Sequence, residues 1–160
     1  MTGLTVTAPE GLPFVDIERE FDAPVSAVFR AYTDRELFSR WIGPRSHTTT
    51  IEEWQPADGG RWSYVSRDDR GEDYVFRGSF HTVRDDELIV QTFEYVGWPD
   101  VVSIESMRFE DLGGGRTRIA AHSVFPTVEA RDAMVTSGME YGIREGFEQL
   151  DELLAAAVTR

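Results

Sequence analysis

One amphipathic stretch near the C-terminus, residues 134–158, constrains the fold of this chain more than any other feature. Its apolar residues recur every three or four positions, which is the spacing of a helix with one buried face. They are Met139, Ile143, Phe147, Leu150, Leu154 and Val158. The opposite face is charged, with residues such as Glu140, Arg144 and Glu148. A long helix of this kind needs an apolar surface to cover, which the rest of the chain must supply.

The same predicted helix contains Gly138, Gly142 and Gly146, which lie on one line of the helix surface. Each glycine costs about 1 kcal/mol relative to alanine in a helix interior. A compensating role is therefore expected, and two roles are open. The glycines bring the helix close to a neighbouring element, or they leave space beside it for a ligand.

Most of the preceding chain alternates between apolar and polar residues and is broken by turn signals, as in an antiparallel meander. The predicted strands are residues 14–21, 48–55, 61–67, 73–83, 87–97, 101–110 and 116–125. Pro24 and Asp34 are typical starting residues for two short helices between the first two strands. Thr127 is expected to cap a short helical segment before the long helix.

These elements predict an α+β helix-grip fold, in which a curved antiparallel sheet of about seven strands wraps around the long C-terminal helix. The two short helices are expected to close one end. Residues 1–160 are predicted to form a single domain, with residues 1–13 as a loose N-terminal lead-in. Apolar residues make up 41% of the chain and aromatic residues 12%, which is enough for a substantial core.

Charge and composition argue against several classes of function. With 16 basic and 29 acidic residues the net charge is −13, which disfavours nucleic acids and anionic membranes as partners. Cysteine is absent, so thiol catalysis, zinc–thiolate sites and disulfides are ruled out. We expect a cytoplasmic protein, because we find no signal-peptide pattern and no apolar run long enough to cross a membrane. A homodimer remains open.

The sequence contains no recognisable catalytic or metal-binding motif, so we expect no metal and no cofactor. The histidines are His47, His81 and His122. Weak candidates for acid–base chemistry are His122, Glu105 and Arg108, although a strand histidine without a catalytic role is the simpler interpretation of His122. Period-two alternation places Glu105 on the same strand face as Met107 and Phe109, and Arg108 on the other face.

Aromatic rows on the predicted strands indicate either a ligand pocket or an ordinary filled core. If these rows face the long helix, residues from the second short helix, the strands and the long helix form one lining. The lining residues are Trp41, Trp62, Tyr64, Phe76, Phe93, Tyr95, Met107, Phe109, Met139, Gly142, Ile143, Gly146 and Phe147. Such a lining suits a hydrophobic or aromatic small molecule.

Several motifs spread along the chain resemble a known family. They are Arg19-x-Phe21-x-Ala23-Pro24, Val28-Phe29-x-Ala31-x-Thr33-Asp34, Trp41-x-Gly43-Pro44, Gly59-Gly60-Arg61-Trp62, Gly138-Met139-Glu140-x-Gly142 and Leu150-Asp151-Glu152-Leu153-Leu154. Together they are similar to the activator of heat-shock protein 90 ATPase homologue-like family of the START-related helix-grip (SRPBCC) superfamily, over residues 15–155. The chain departs from the family at Arg35, where proline is frequent, and at Ile42, where a second tryptophan is common.

The resemblance implies a cavity between the sheet and the long helix that accepts a hydrophobic small molecule. Similar helix-grip proteins include polyketide cyclases and aromatases, so an enzyme of that type is an alternative function. A chaperone-partner role in stress response, as the family name suggests, is a further one. That role predicts an exposed apolar patch of several hundred Å² in place of an enclosed pocket.

Overall fold

A single antiparallel sheet and four helices make up the computed structural model, which describes residues 3–158. The sheet has eight strands in the order β1-β2-β8-β7-β6-β5-β4-β3. The strands are β1 (Thr5–Thr7), β2 (Phe14–Phe21), β3 (Thr48–Trp54), β4 (Arg61–Arg67), β5 (Asp73–Arg84), β6 (Leu88–Tyr95), β7 (Val102–Gly113) and β8 (Arg116–Val124). The helices are α1 (Val25–Thr33), α2 (Arg35–Trp41), α3 (Val128–Thr136) and α4 (Met139–Val158). The predicted helix-grip architecture is confirmed.

The N-terminal segment corrects the prediction of a loose lead-in and a seven-stranded sheet. Residues Thr5–Thr7 pair antiparallel with β2, and Thr5 lies opposite Glu18. This short strand is the eighth strand of the sheet and forms one of its edges. A strand of three residues contains too little alternation to be recognised from the sequence.

The strand register decides which side chains face the helices. Ile17 on β2, Ala121 on β8 and Met107 on β7 are direct partners, and His122 and Ser106 are partners in the next row. Successive residues of a strand point to opposite faces. The first row lies on the inner face, where Ile17 is buried, and the second lies on the outer face, where His122 is exposed.

The helix starts follow the predicted capping chemistry. The Asp34 side chain accepts a hydrogen bond from the Leu37 backbone N–H at 3.0 Å, at the start of α2. At the start of α3 the Thr127 hydroxyl accepts one from the Ala130 N–H, also at 3.0 Å. Each cap satisfies a backbone donor that has no partner inside its helix.

The long C-terminal helix is shorter than predicted, because it is interrupted after Thr136. The chain turns at Ser137 and Gly138, and α4 begins only at Met139. Gly138 has a φ of 90°, a left-handed conformation that favours glycine and commonly ends a helix. Gly138 therefore separates two helices instead of lying inside one. The side chain of Val158, predicted on the apolar face, lies outside the described residues.

A charged residue on the inner face fastens α4 to the sheet. Arg19 on β2 is only 6% exposed. Its guanidinium donates to both carboxylate oxygens of Asp151 on α4, at 2.8 and 2.5 Å, and lies 4.7 Å from the centre of the Phe21 ring. This contact explains why the otherwise apolar face of β2 contains an arginine. Among the described helices, none has the length and apolar character of a membrane span.

Candidate ligand-binding groove

The glycines of α4 lie against the end of α2 and the turn that follows it. A Cβ atom at Gly146 would lie 3.1 Å from the Trp41 carbonyl oxygen and 3.4 Å from the Gly43 nitrogen. At Gly142 the nearest atom, on the Pro44 ring, would be 3.7 Å away. Close helix packing is therefore the role of Gly146, whereas Gly142 has room for a Cβ atom beside Pro44. This corrects the assignment of Gly146 as a ligand-binding residue, and the assignment of Gly142 stays a prediction.

Three other predicted lining residues belong to the filled core. Trp41 is buried, and its indole N–H donates to the Ala31 carbonyl at 2.9 Å. The buried Phe109 ring packs edge-on against Phe29, with a centroid distance of 5.0 Å. Phe147 is buried as well. These rings hold the helices to the sheet and leave no surface for a ligand.

The remaining sheet residues of the predicted lining form a different region, on the inner face of β4 to β7. Phe76, Phe93, Tyr95 and Met107 are all only partly buried, although they point toward the helix side of the sheet. We term this region the inner groove. Its partly exposed residues are Phe76, Phe93, Tyr95, Glu105 and Met107, and the buried rings of Trp62 and Tyr64 pack beside them. From α4, Met139 and Ile143 are also partly buried and pack against the core.

The aromatic rings of the inner groove form a continuous floor. Trp62 lies 5.5 Å from Tyr64 and 5.8 Å from Phe93, measured between ring centres. Phe76 completes the set at 5.3 Å from Tyr64 and 5.4 Å from Phe93, and Tyr95 extends it at 5.4 Å from Phe76. Contacts between aromatic rings at these distances are stabilising, so the rings together form a continuous apolar surface.

Trp62 holds a buried polar atom next to this floor. The residue opposite it on β5 is Gly78, where a Cβ atom would lie 2.7 Å from the indole ring and 2.0 Å from the Thr92 carbonyl oxygen. Only glycine allows the ring to lie in that position. Trp62 is 3% exposed, and within residues 3–158 its indole N–H is the buried side-chain group that has no hydrogen-bond partner. An unpaired buried donor costs about 1–3 kcal/mol.

Glu105 lies on the inner face, as strand alternation predicted. One carboxylate oxygen accepts a hydrogen bond from the Gln91 side-chain amide at 3.0 Å, and the other from the Ser123 hydroxyl at 3.3 Å. The side chain remains partly exposed, yet burial raises the pKa of its carboxyl group. Burial also raises the pKa of the Tyr32 and Tyr64 hydroxyls, and the nearby charge of Glu105 raises both further.

The other two acid–base candidates lie on the outer face, which corrects the suggestion that His122 acts in the pocket. The His122 ring is exposed and makes a 2.5 Å contact with the Asp16 carboxylate. Arg108 is exposed, and both residues line an open depression of about 390 Å³ beside β1. A second open depression of similar volume also lies beside β1. The three candidates therefore do not converge, and only Glu105 can reach a ligand in the inner groove.

Sequence reasoning missed the residues that hold Glu105. Gln91 and Ser123 flank it directly on the neighbouring strands, so the cross-strand register would have identified both. The outer face also carries a small apolar cluster. Ile104 is 54% exposed and lies opposite Val124, which is 37% exposed. Within the described part of the chain, no group of three or more acidic, histidine or cysteine side chains is arranged to hold a metal ion.

Solved structures of bacterial proteins share this fold. A Rhodobacter sphaeroides protein is 23% identical, with a TM-score of 0.87 over 96% of this chain and 99% of its own. A solution structure from Arthrobacter aurescens is 27% identical, with a TM-score of 0.87 over 95% of this chain and 91% of its own. An AHSA1 protein from Silicibacter pomeroyi is 19% identical, with a TM-score of 0.74 over 90% and 99%. No curated protein matches the chain.

The sequence profile of one family covers most of the domain. The family is described as activator of Hsp90 ATPase homolog 1-like protein, and its profile matches residues 22–155. The matched segment runs from the start of α1 to the last turns of α4 and so contains the whole inner groove. This chain therefore belongs to the activator of Hsp90 ATPase homolog 1-like family.

Proposed function

We propose that this protein binds a largely apolar, aromatic small molecule in the inner groove and acts as a binding protein. The observation that carries the proposal is the partial exposure of Phe76, Phe93, Tyr95 and Met107 on the face of the sheet that turns toward the helices. Apolar side chains in that position are normally covered by a helix. A ligand that covers them gains roughly 25 cal/mol for each Å² of apolar surface removed from water.

Two polar groups give the groove a means of orienting its ligand. The unpaired indole N–H of Trp62 needs a hydrogen-bond acceptor, and the Glu105 carboxyl group offers a second polar contact. Small-molecule sites typically combine an apolar lining with a few placed polar groups of this kind. We therefore expect the ligand to carry at least one polar group in addition to its apolar part.

The alternative of a polyketide cyclase or aromatase-type enzyme has less support. Of its three candidate groups, His122 and Arg108 lie on the outer face of the sheet, and only Glu105 faces the groove. A single carboxyl group held by Gln91 and Ser123 is enough to orient a ligand, whereas such reactions generally need convergent acid and base groups. The geometry therefore favours binding over turnover.

Thermal-shift measurements with a panel of neutral and charged aromatic compounds test the proposal. A ligand present at about 100 times its Kd adds about 2.7 kcal/mol to the free energy of unfolding. For a domain of this size that corresponds to a rise in Tm of about 5–10 °C. Tryptophan fluorescence provides a second readout, because Trp62 forms part of the floor.

A matched pair of variants locates the binding site. Met107→Trp adds a large ring to the partly exposed floor of the groove, whereas Ile104→Trp adds the same ring to the outer face of the same strand. We expect Met107→Trp to lose the thermal shift and Ile104→Trp to keep it. Loss in both variants, or in neither, would exclude the inner groove as the site. If no compound of the panel binds, the proposal is wrong.

A further inference from the structure

The inner groove contains an acidic group that has no counter-ion. Glu105 forms no ion pair with any other residue in the range 3–158, and its two hydrogen-bond partners, Gln91 and Ser123, are neutral. An isolated carboxylate away from water is unfavourable unless a cation or a set of hydrogen bonds compensates it. Here the compensation is partial, because each oxygen receives one hydrogen bond.

The groups that face Glu105 from the surrounding elements supply no positive charge. Tyr32 on α1 and Tyr64 on β4 are close enough to interact electrostatically with it, and burial keeps both hydroxyls neutral. The guanidinium of Arg19 acts on Tyr32, but it is already paired with Asp151 of α4. A cation for Glu105 therefore has to come from outside the described chain.

The chemistry around the carboxyl group suits an organic cation. Aromatic rings attract cations through the negative electrostatic potential of their faces, by about 0.5–2 kcal/mol for each well-placed contact. Tyr64, whose hydroxyl is close enough to interact electrostatically with Glu105, stacks on Trp62, and Trp62 in turn packs against Phe93. The net charge of −13 adds a general attraction for positively charged molecules.

We infer that the ligand of the inner groove carries a protonated amine, which pairs with the Glu105 carboxylate while the apolar part of the ligand lies on the aromatic floor. This inference rests on the proposed function, since it specifies the ligand class for the same site. The amine displaces no ion pair, because Glu105 has none. Gln91 and Ser123 act as positioning residues that hold the two carboxylate oxygens in place.

Three compounds with one carbon skeleton separate charge from shape: 1-(2-naphthyl)ethylamine, 1-(2-naphthyl)ethanol and 2-acetonaphthone. Their Kd values are measured by calorimetry at several pH values between about 5 and 8. We expect the amine to bind at least about tenfold more tightly than the alcohol near pH 8. Its affinity should rise with pH as Glu105 ionises, whereas the affinity of the alcohol should stay constant.

Variants assign this preference to one side chain. Glu105→Gln keeps the shape of the residue and removes its charge, so the amine should bind it no better than the alcohol does. Glu110→Gln, on the outer face of the same strand, is the matched control and should keep the preference. Should Glu105→Gln fail to fold, the pH dependence of amine binding to the unaltered protein still tests the inference.

The possible results separate this inference from the proposed function. If the alcohol binds and the amine binds no more tightly, the inference is overturned and the proposed function stands. Stronger binding of the ketone at low pH would mean that Glu105 acts as a neutral hydrogen-bond donor, which also overturns it. If none of the three compounds binds, the inference and the proposed function lose support together.

Discussion

Removing the carboxylate of Asp151 tests how α4 is fastened to the sheet. In the folded protein the Arg19 guanidinium is 6% exposed and makes two hydrogen bonds to Asp151, whose side chain is 39% exposed. Asp151→Ala therefore leaves a buried cation whose remaining polar contact is the Glu20 carbonyl oxygen at 2.9 Å. The free energy of unfolding should fall, because the charge stays buried after its partner is gone.

The expected loss in the free energy of unfolding follows from the solvent exposure of Arg19 and Asp151. Breaking a fully buried ion pair typically costs 3–5 kcal/mol. Exposed pairs contribute about 0–1 kcal/mol, since water screens both charges. With one partner buried and the other partly solvated, we expect a loss of about 1–3 kcal/mol for Asp151→Ala. At about 2–4 °C for each kcal/mol in a domain of this size, Tm should fall by roughly 2–12 °C.

Urea unfolding followed by tryptophan fluorescence, together with thermal melts, measures this loss. Arg144→Ala is the control, because it removes an exposed ion pair with Glu140 on the same helix and should cost under about 0.5 kcal/mol. Arg19→Met is the informative partner variant. It leaves Asp151 partly solvated, so it should cost less than Asp151→Ala. The reasoning is refuted if Asp151→Ala matches the unaltered protein, or if Arg19→Met is the more damaging change.

Two further predictions concern packing and pH. Gly142→Ala should raise Tm, since alanine favours a helix by about 1 kcal/mol and Pro44 leaves room for it. The Tm of Gly146→Ala should be lower than that of Gly142→Ala, because the Cβ atom at position 146 meets the Trp41 carbonyl oxygen. The reverse order of Tm values would contradict this packing. The raised pKa of Glu105 means that the folded state binds this proton more tightly than the unfolded state, so this residue's contribution to stability falls as pH rises through that pKa. In urea unfolding, Glu105→Gln should therefore gain stability over the unaltered protein as pH rises above the ordinary pKa of a glutamate. A flat or falling difference would contradict the assigned burial.

Strand alternation was sufficient to predict which site residues share a face of the sheet. It placed Glu105 on the same face as Met107 and Phe109, which is the inner face in the structure, and Arg108 on the opposite face. It did not reveal which inner-face rings are covered. Phe109 and Phe93 both lie on the inner face, yet Phe109 is buried against Phe29 and Phe93 is only partly buried. That difference depends on where the helices lie over the sheet, which a local pattern does not contain.

Register and helix breaks were harder to predict. His122 has apolar neighbours in the sequence, and only its pairing with Ser106 and Asp16 places it on the outer face. The spacing of Gly138, Gly142 and Gly146 is the same whether or not the helix is continuous, so the line of glycines concealed the break at Gly138. In each case the deciding contact is remote in sequence or depends on one backbone angle.

The position of α4 in the chain has a consequence for protein synthesis. All eight strands precede it, so the ribosome completes the aromatic floor before it makes the helix that shelters the core. Among the described residues, Arg19 has no ion-pair partner until Asp151, 132 positions later, has been synthesised. During this interval the nascent sheet presents an uncovered apolar side, the kind of surface that promotes aggregation. Truncation before α4 would make that vulnerability permanent.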